Sequence, residues 1–129
     1  MSTAYEAAWQ ASIANRDAFW ADAARAIDWI EAPAATFDEQ RGWFPGGMLN
    51  TSFNCIDRHV EAGRGDALAL IYDSPVTGTI RRYSYAELQH EVGQAAAMLA
   101  RLGVTKGDRV IIYMPMIPET VFAMLACAR

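Results

Sequence analysis

The segment SYAELQHEVGQAAAMLARLG, residues 84–103, decides how the second half of the chain folds. Ser84 is followed three residues later by Glu87, which is the capping-box spacing that starts a helix. Gly103 suits the position just after a last helical turn. Between them, apolar residues recur at alternating intervals of four and three: Leu88, Val92, Ala95, Leu99 and Leu102. The segment therefore predicts one long helix with a buried stripe.

The sequence around this helix predicts strands and a second helix. Residues 67–72 and 79–83 read as strands, and turn-forming residues 73–78 join them into a hairpin. Residues 109–113 are apolar on both faces, which is typical of a central parallel strand. A helix from Pro118 is apolar all round, so we expect it to be buried on several sides. We expect the front of an open α/β sheet from a longer protein, because parallel sheets need helices on both faces.

The first third of the chain is rich in large aromatic rings. Residues 4–30 predict helix, interrupted by capping residues at 15–17 and stopped by Pro33, and residues 31–49 look irregular. Its apolar stripes are Tyr5, Trp9, Ile13, then Phe19, Ala23, Ile27, Ile30. All four tryptophans lie in this third, and such rings need a surface to bury against. We therefore expect an N-terminal helical and irregular segment that wraps a larger body.

A further helix is predicted between this segment and the hairpin. Asn50 is a favourable N-cap, and the helix should run to about Glu61. Its inner face would carry Phe53, Ile56 and Val60. Glycines and charged residues follow at 63–66. We place a domain boundary there, giving residues 1–63 and 64–129.

Composition excludes several classes of protein. The 129 residues are 53% hydrophobic and 20% charged, which is globular, and the net charge of −4 argues against nucleic acid as a partner. The N-terminus lacks a secretory signal, and the longest apolar run, residues 121–128, is too short to span a bilayer. The two cysteines are too few for a disulfide scaffold. We expect a cytoplasmic protein with no membrane partner.

Candidate phosphate and metal sites are weak. No glycine-rich phosphate motif is present, and the Thr77-Gly78-Thr79 run lies in the hairpin turn rather than before a helix. Cys55 and His59 are four residues apart on one predicted helix, but two ligands do not complete a zinc site. We interpret them as a packed thiol and a satisfied histidine.

Candidate catalytic side chains are equally weak. Cys127 lies in the apolar helix, where a thiol is unreactive, so we interpret it as core. Asp57 and Arg58, beside His59, fit a solvated helix face, with an ion-paired helix surface or a partner contact as the alternatives. Lys106, the chain's single lysine, sits in an exposed turn. The residues predict no self-sufficient active site, so we assign no catalytic, cofactor-binding or metal-binding residue.

The most suggestive functional position is the loop of residues 113–119. It leaves the carboxyl end of the predicted strand and enters a helix, and ligands collect at such edges of α/β sheets. Its two prolines make it rigid. A stiff connector is the alternative.

Several motifs resemble those of a known family. YMPMIPE at 113–119, AMLACAR at 123–129, YSYAEL at 83–88 and the LGV and KGDRV motifs within 102–110 resemble the start of the AMP-binding domain in short-chain acyl-CoA synthetases. Asn50, Asn54 and Asp57-Arg58-His59 resemble the N-terminal segment of acetyl-CoA synthetases. Within that group, YDSPVTGT at 72–79 resembles the propionate–CoA ligase branch.

The resemblance implies an AMP-forming ligase with the α/β large domain of adenylate-forming enzymes. In that family a carboxylate attacks the α-phosphate of Mg-ATP, and coenzyme A then displaces AMP from the acyl-adenylate. Residues 1–63 would be the acetyl-CoA-synthetase-type N-terminal segment, and 64–129 the incomplete beginning of the AMP-binding domain. The partners implied are the rest of the large domain and a mobile C-terminal domain.

The resemblance also implies that this stretch is inactive alone. The family's motifs for binding ATP, Mg and CoA lie beyond residue 129, so none of these groups is expected to bind here. A standalone interaction or oligomerisation module derived from such an enzyme is the alternative. A small nucleotide-binding domain using the loop at 113–119 is a weaker one.

Overall fold

The computed structural model describes residues 3–129 and divides the chain into two compact units. One unit is Met1–Leu49 and the other is Asn50–Arg129. This division comes earlier in the chain than the boundary predicted near residue 64. The assignment of residues 1–63 and 64–129 to separate domains stays a prediction.

Two short helices open the first unit. These are α1 (Ala4–Ala14) and α2 (Arg16–Ala24), separated by Asn15, which caps α2 through its side-chain oxygen. The predicted interruption is therefore confirmed. The predicted continuation to residue 30 is wrong, because the indole N–H of Trp29 donates to the carbonyl of Ala24 at 3.0 Å and satisfies the end of α2.

The rest of the first unit, predicted as irregular, contains a small antiparallel pair. Strand β1 (Phe37–Asp38) pairs with β2 (Gly42–Trp43), and a further bridge joins Glu31 to Met48. The guanidinium of Arg16 lies 4.1 Å from the centre of the Phe37 ring. Burial of the two predicted apolar stripes is wrong for all their residues except Phe19; the exposed ones are Tyr5, Trp9, Ile13, Ala23, Ile27 and Ile30.

The second unit opens with a helical segment over residues 51–64. Asn50 caps it, since its side-chain oxygen accepts from the Phe53 amide at 2.9 Å. The predicted helix is confirmed in place, but most of it is wound more widely than an α-helix, with π-helical stretches at Phe53–Asp57 and Val60–Arg64. Ile56, on the predicted inner face, is fully buried.

The predicted hairpin and long helix follow. Strands β3 (Leu68–Ser74) and β4 (Thr79–Ser84) pair antiparallel, and α3 runs over Tyr85–Arg101. The Ser84 hydroxyl accepts from the Glu87 amide at 3.2 Å, and the Glu87 carboxylate accepts from the Ser84 amide at 2.8 Å. Both the hairpin and the capping box are confirmed.

The last helix, α4 (Pro118–Ala128), packs through one face against α3 and the hairpin. The core of the second unit is Ile56, Tyr83, Leu88, Val92, Phe122, Leu125 and Ala126. Met124 and Cys127 on α4 are exposed, so burial on several sides and a core role for Cys127 were wrong predictions. Leu102 is also exposed, because it follows the end of α3.

Residues 109–113 do not form the predicted strand. No β partner for them lies among residues 3–129, and β3 and β4 pair with each other. Ile111 is 91% exposed and Tyr113 is 99% exposed. The physical reason is that a strand forms only where a neighbouring strand completes its hydrogen bonds.

The part of the chain that the structure describes contains no helix long and apolar enough to cross a bilayer.

Candidate functional site

The loop of residues 113–119 is exposed at its start and fixed at its end. Tyr113 and Met116 are almost fully exposed, whereas Pro118 is buried as the first residue of α4. The Thr120 hydroxyl donates to the Pro115 carbonyl at 2.7 Å, and the Ile117 amide donates to the same oxygen at 2.8 Å. The loop is thus tied to the first turn of α4.

An ion pair between a buried carboxylate and a partly exposed arginine lies at the other end of α4. Arg129 donates from Nη1 and Nη2 to the two carboxylate oxygens of Asp57, at 2.9 and 2.8 Å. Gln89 on α3 donates to Asp57 Oδ1 at 2.7 Å. Asp57 is 7% exposed, so the prediction of a solvated face is wrong for this residue. The carboxylate connects the 51–64 segment, α3 and α4.

The charge of Asp57 is stabilised by these contacts. Burial raises the pKa of Asp57, but hydrogen bonds from Arg129 and Gln89, together with the charge of Arg129, hold this pKa below its ordinary value. The carboxylate is therefore ionised at neutral pH, as a bidentate arginine partner requires.

Four of the residues that carried the resemblance lie close together here. Asn50 Nδ2 donates to the backbone carbonyl of Arg129 at 3.3 Å, and Asn54 Nδ2 donates to the Asn50 carbonyl at 3.1 Å. Arg58 Nη1 donates to the Asn54 side chain at 3.2 Å. The structure brings Asn50, Asn54, Asp57 and Arg58 into one hydrogen-bonded group around the end of α4.

His59 and Cys55 have separate surroundings. The centres of the His59 and Tyr85 rings lie 4.5 Å apart. The His59 Nδ1 is hydrogen-bonded to the Arg64 guanidinium. Cys55 is exposed, so the prediction of a packed thiol is wrong. Among residues 3–129, no three His, Cys, Asp or Glu side chains are grouped so as to hold a metal ion.

The turn at 77–79 has the structure of a hairpin connection. Gly78 has a φ of +65°, which its missing side chain permits, and Ser74 Oγ accepts from the Thr77 amide at 3.3 Å. The turn joins two antiparallel strands, as predicted, and α3 begins only after β4.

One open groove lies along α3, with a volume of about 570 Å³. Its lining is Ala86, Gln89, His90, Gly93, Gln94 and Ala97. His90 Nε2 and Gln94 Nε2 lie 2.7 Å apart within it. No lysine or arginine lines this groove, so its chemistry does not suit a triphosphate.

Reasoning from the sequence missed the Asp57–Arg129 pair. The partners of Asp57 lie 32 and 72 residues away, so no local spacing reports them. Asp57 also lies in a π-helical turn, which changes the residues that face inward. The prediction used the spacing of an α-helix and therefore did not place Asp57 on the inner face.

Comparison with known proteins identifies the chain. The family model described as acetyl-coenzyme A synthetase N-terminus matches residues 5–55, and the model described as AMP-binding enzyme matches residues 56–129. The chain belongs to the AMP-binding enzyme family. The two matches meet within the 51–64 segment, beside the Asn50–Arg129 contact. The resemblance proposed from the motifs is confirmed.

Curated members of the family include two named synthetases. The chain is 50% identical to the acetyl-coenzyme A synthetase of Streptomyces coelicolor, over 95% of this chain and 19% of that protein. It is 47% identical to the mitochondrial acyl-CoA synthetase short-chain family member 3 of Rattus norvegicus, over 97% of this chain and 19% of that protein. The chain thus spans about a fifth of the length of these relatives.

A solved structure shares the fold. The acetoacetyl-CoA synthetase from Streptomyces lividans superposes with a TM-score of 0.83 at 32% identity, over 98% of this chain and 20% of that one. The predicted fold class, an N-terminal portion of the α/β adenylate-forming large domain, is confirmed.

Proposed function

We propose that this AMP-binding family chain is the N-terminal portion of an ATP-dependent, AMP-forming short-chain acyl-CoA ligase. The whole enzyme would convert propionate or acetate, ATP and CoA to acyl-CoA, AMP and pyrophosphate. The observation that carries the proposal is the consecutive match of the two family models, 5–55 and 56–129, without a gap. Cytoplasmic location, and the absence of nucleic-acid and membrane partners, stay predictions.

We propose that residues 3–129 do not bind ATP, Mg or CoA by themselves. The hairpin turn at 77–79 has no helix N-terminus beside it, and the α3 groove has no cationic lining. We therefore derive no catalytic step from residues 3–129. We propose that the chain supplies scaffold to the ligase and is inactive alone.

The exposed apolar residues support a partner within the same enzyme. Ile111, Tyr113 and Met116 are 91%, 99% and 87% exposed, and three large apolar side chains exposed within six residues are typical of a surface that a partner covers. We propose that the remainder of the large domain covers it, with the C-terminal domain as the second partner. The length of the curated relatives, about five times that of this chain, supports this assignment.

The decisive experiment is an intact-mass measurement of the native polypeptide, joined to an assay of carboxylate-dependent ATP–pyrophosphate exchange. A mass several times that of 129 residues, with exchange that depends on propionate or acetate, is expected. Parallel assays with both acids would give the preference from the ratio of kcat/KM values. A large native polypeptide without such exchange would contradict the ligase proposal, and exchange by the 129-residue chain would contradict its inactivity.

A standalone interaction module is the second candidate, and the same exposed residues favour it. A module of this kind would dock a partner or a second copy through Ile111, Tyr113 and Met116. A native polypeptide of 129 residues that forms a stable folded oligomer would support this candidate. A native mass several times larger would remove it.

A further inference from the structure

Asp57 joins three helical elements through charged and polar contacts. Its carboxylate accepts two hydrogen bonds from Arg129 on the end of α4 and one from Gln89 on α3. Asp57 itself lies in the 51–64 segment and is 7% exposed. A buried carboxylate held by three donors has a narrow choice of positions, because each hydrogen bond is directional.

Apart from these bonds and the Asn50–Arg129 hydrogen bond, α4 packs on its neighbours through apolar side chains. Phe122, Leu125 and Ala126 pack against residues of α3 and the hairpin, among them Val92 and Tyr83. Apolar burial is non-directional, whereas hydrogen bonds depend on angle and distance. The three hydrogen bonds at Asp57 therefore add a directional constraint to the packing of α4.

The opposite end of α4 carries the 113–119 loop. Thr120 and Ile117 both donate to the Pro115 carbonyl, so the loop is bonded to the first helical turn. Helix α4, 11 residues long, is the continuous hydrogen-bonded element between this loop and Arg129.

We propose that Asp57 is a positioning residue that acts through Arg129 and α4 on the 113–119 loop. The proposal rests on the proposed function, since it assigns the loop a part in the ligase reaction. Asp57 lies outside the loop itself, and the sequence pattern predicted that its side chain is solvated.

The test compares Asp57→Asn with Asp73→Asn in the native polypeptide. Both changes remove one carboxylate charge at nearly constant volume, and Asp73 is exposed on β3. Hydrogen exchange of the Ile117 and Thr120 amides should become roughly tenfold faster in Asp57→Asn, because local opening is easier. Amides of the β3–β4 hairpin should exchange as in the wild type, and Asp73→Asn should leave both regions unchanged.

Activity gives the second readout. In Asp57→Asn the kcat of carboxylate-dependent ATP–pyrophosphate exchange should fall about tenfold, since small misplacements are costly in catalysis. Unchanged loop exchange, or equal acceleration in the loop and the hairpin, would overturn the positioning role. Faster loop exchange with unchanged kcat would equally overturn it, because the loop would then not matter to the reaction.

A second, milder variant tests the proposal in case Asp57→Asn folds poorly. Arg129→Lys keeps the positive charge but loses the bidentate geometry, so its loop exchange should lie between those of wild type and Asp57→Asn. Wild-type exchange in its loop would overturn the proposal. If the wild-type polypeptide shows no carboxylate-dependent pyrophosphate exchange, the proposed function fails and the role in that reaction fails with it. Hydrogen exchange of the loop amides then still tests whether Asp57 stabilises the conformation of the loop.

Discussion

Arg129 donates two hydrogen bonds to the carboxylate of Asp57, although 72 residues separate the two in sequence. The pair fixes the end of α4 to the helical segment that follows the first unit. Asp57 is nearly buried and the Arg129 side chain is 34% exposed. Because the carboxylate side is buried, removal of the arginine would leave a buried charge without its partner, which should be costly.

Arg129→Met should destabilise the 129-residue chain by about 3 kcal/mol, since it leaves the Asp57 carboxylate buried without its cation. Urea unfolding followed by far-UV circular dichroism measures this change. Arg82→Met, an equivalent change at an exposed position on β4, is the control and should shift the unfolding free energy by less than about 0.5 kcal/mol. Equal effects of the two substitutions would contradict the importance of the pair.

The pH dependence of stability should report Asp57. Because the pKa of Asp57 is lower in the folded chain than in the unfolded chain, its contribution is present above the unfolded pKa and is lost as pH falls through the folded value. The unfolding free energy should thus decrease on acidification below about pH 4, and less steeply in Asp57→Asn. Hydrogen bonds from Ser84 and Thr105 also lower the pKa values of Glu87 and Asp108, respectively. These two carboxylates account for part of the pH dependence that remains in Asp57→Asn. Identical slopes in both proteins would refute this account.

Core packing in the second unit gives a third prediction. Ile56 is 0% exposed, so Ile56→Ala should cost about 2–5 kcal/mol through lost burial and a cavity. Leu99 is partly buried against the same core, and Leu99→Ala should fall near the lower end, at about 2 kcal/mol. Leu102→Ala is the matched control, because Leu102 is 74% exposed and should cost less than about 0.5 kcal/mol. Urea midpoints of the three variants check the order.

The exposed apolar surface gives a fourth prediction. The 129-residue chain should self-associate through Ile111 and Met116, and the double variant Ile111→Ser, Met116→Ser should be more monomeric in sedimentation velocity. Its stability should stay within about 0.5 kcal/mol of wild type, since both side chains are already in water. Met124→Ser, on the exposed face of α4, is the control. Unchanged association in the double variant would show that another surface is responsible.

Local signals in the sequence were reliable where their partners are neighbours. The Ser84–Glu87 capping box, the break at Asn15 and the cap at Asn50 all involve groups within three residues of one another. The stripe on α3 was correct from Leu88 to Leu99, because helical periodicity alone places these residues on one face. The motifs that resembled acyl-CoA synthetases were confirmed by the family matches.

Most of the predictions that failed depend on tertiary contacts. Residues 109–113 have the composition of a strand, yet no neighbouring strand among residues 3–129 completes their hydrogen bonds. Cys127 lies in an apolar helix but on its exposed side, which only packing against α3 could decide. Helix α2 also ends earlier than predicted, because the Trp29 indole donates to the backbone carbonyl of Ala24. The spacing of apolar residues does not report this contact.

The sequence by itself determined the caps, the hairpin, the α3 stripe and the family, because each depends on residues close together or on motifs that can be compared directly. The tertiary structure decided that Asp57 is buried, that Arg129 is its partner and that one face of α4 is exposed. The physical reason is that a carboxylate's environment is set by whatever the fold brings to it, and Arg129 and Gln89 come from elements 72 and 32 residues away.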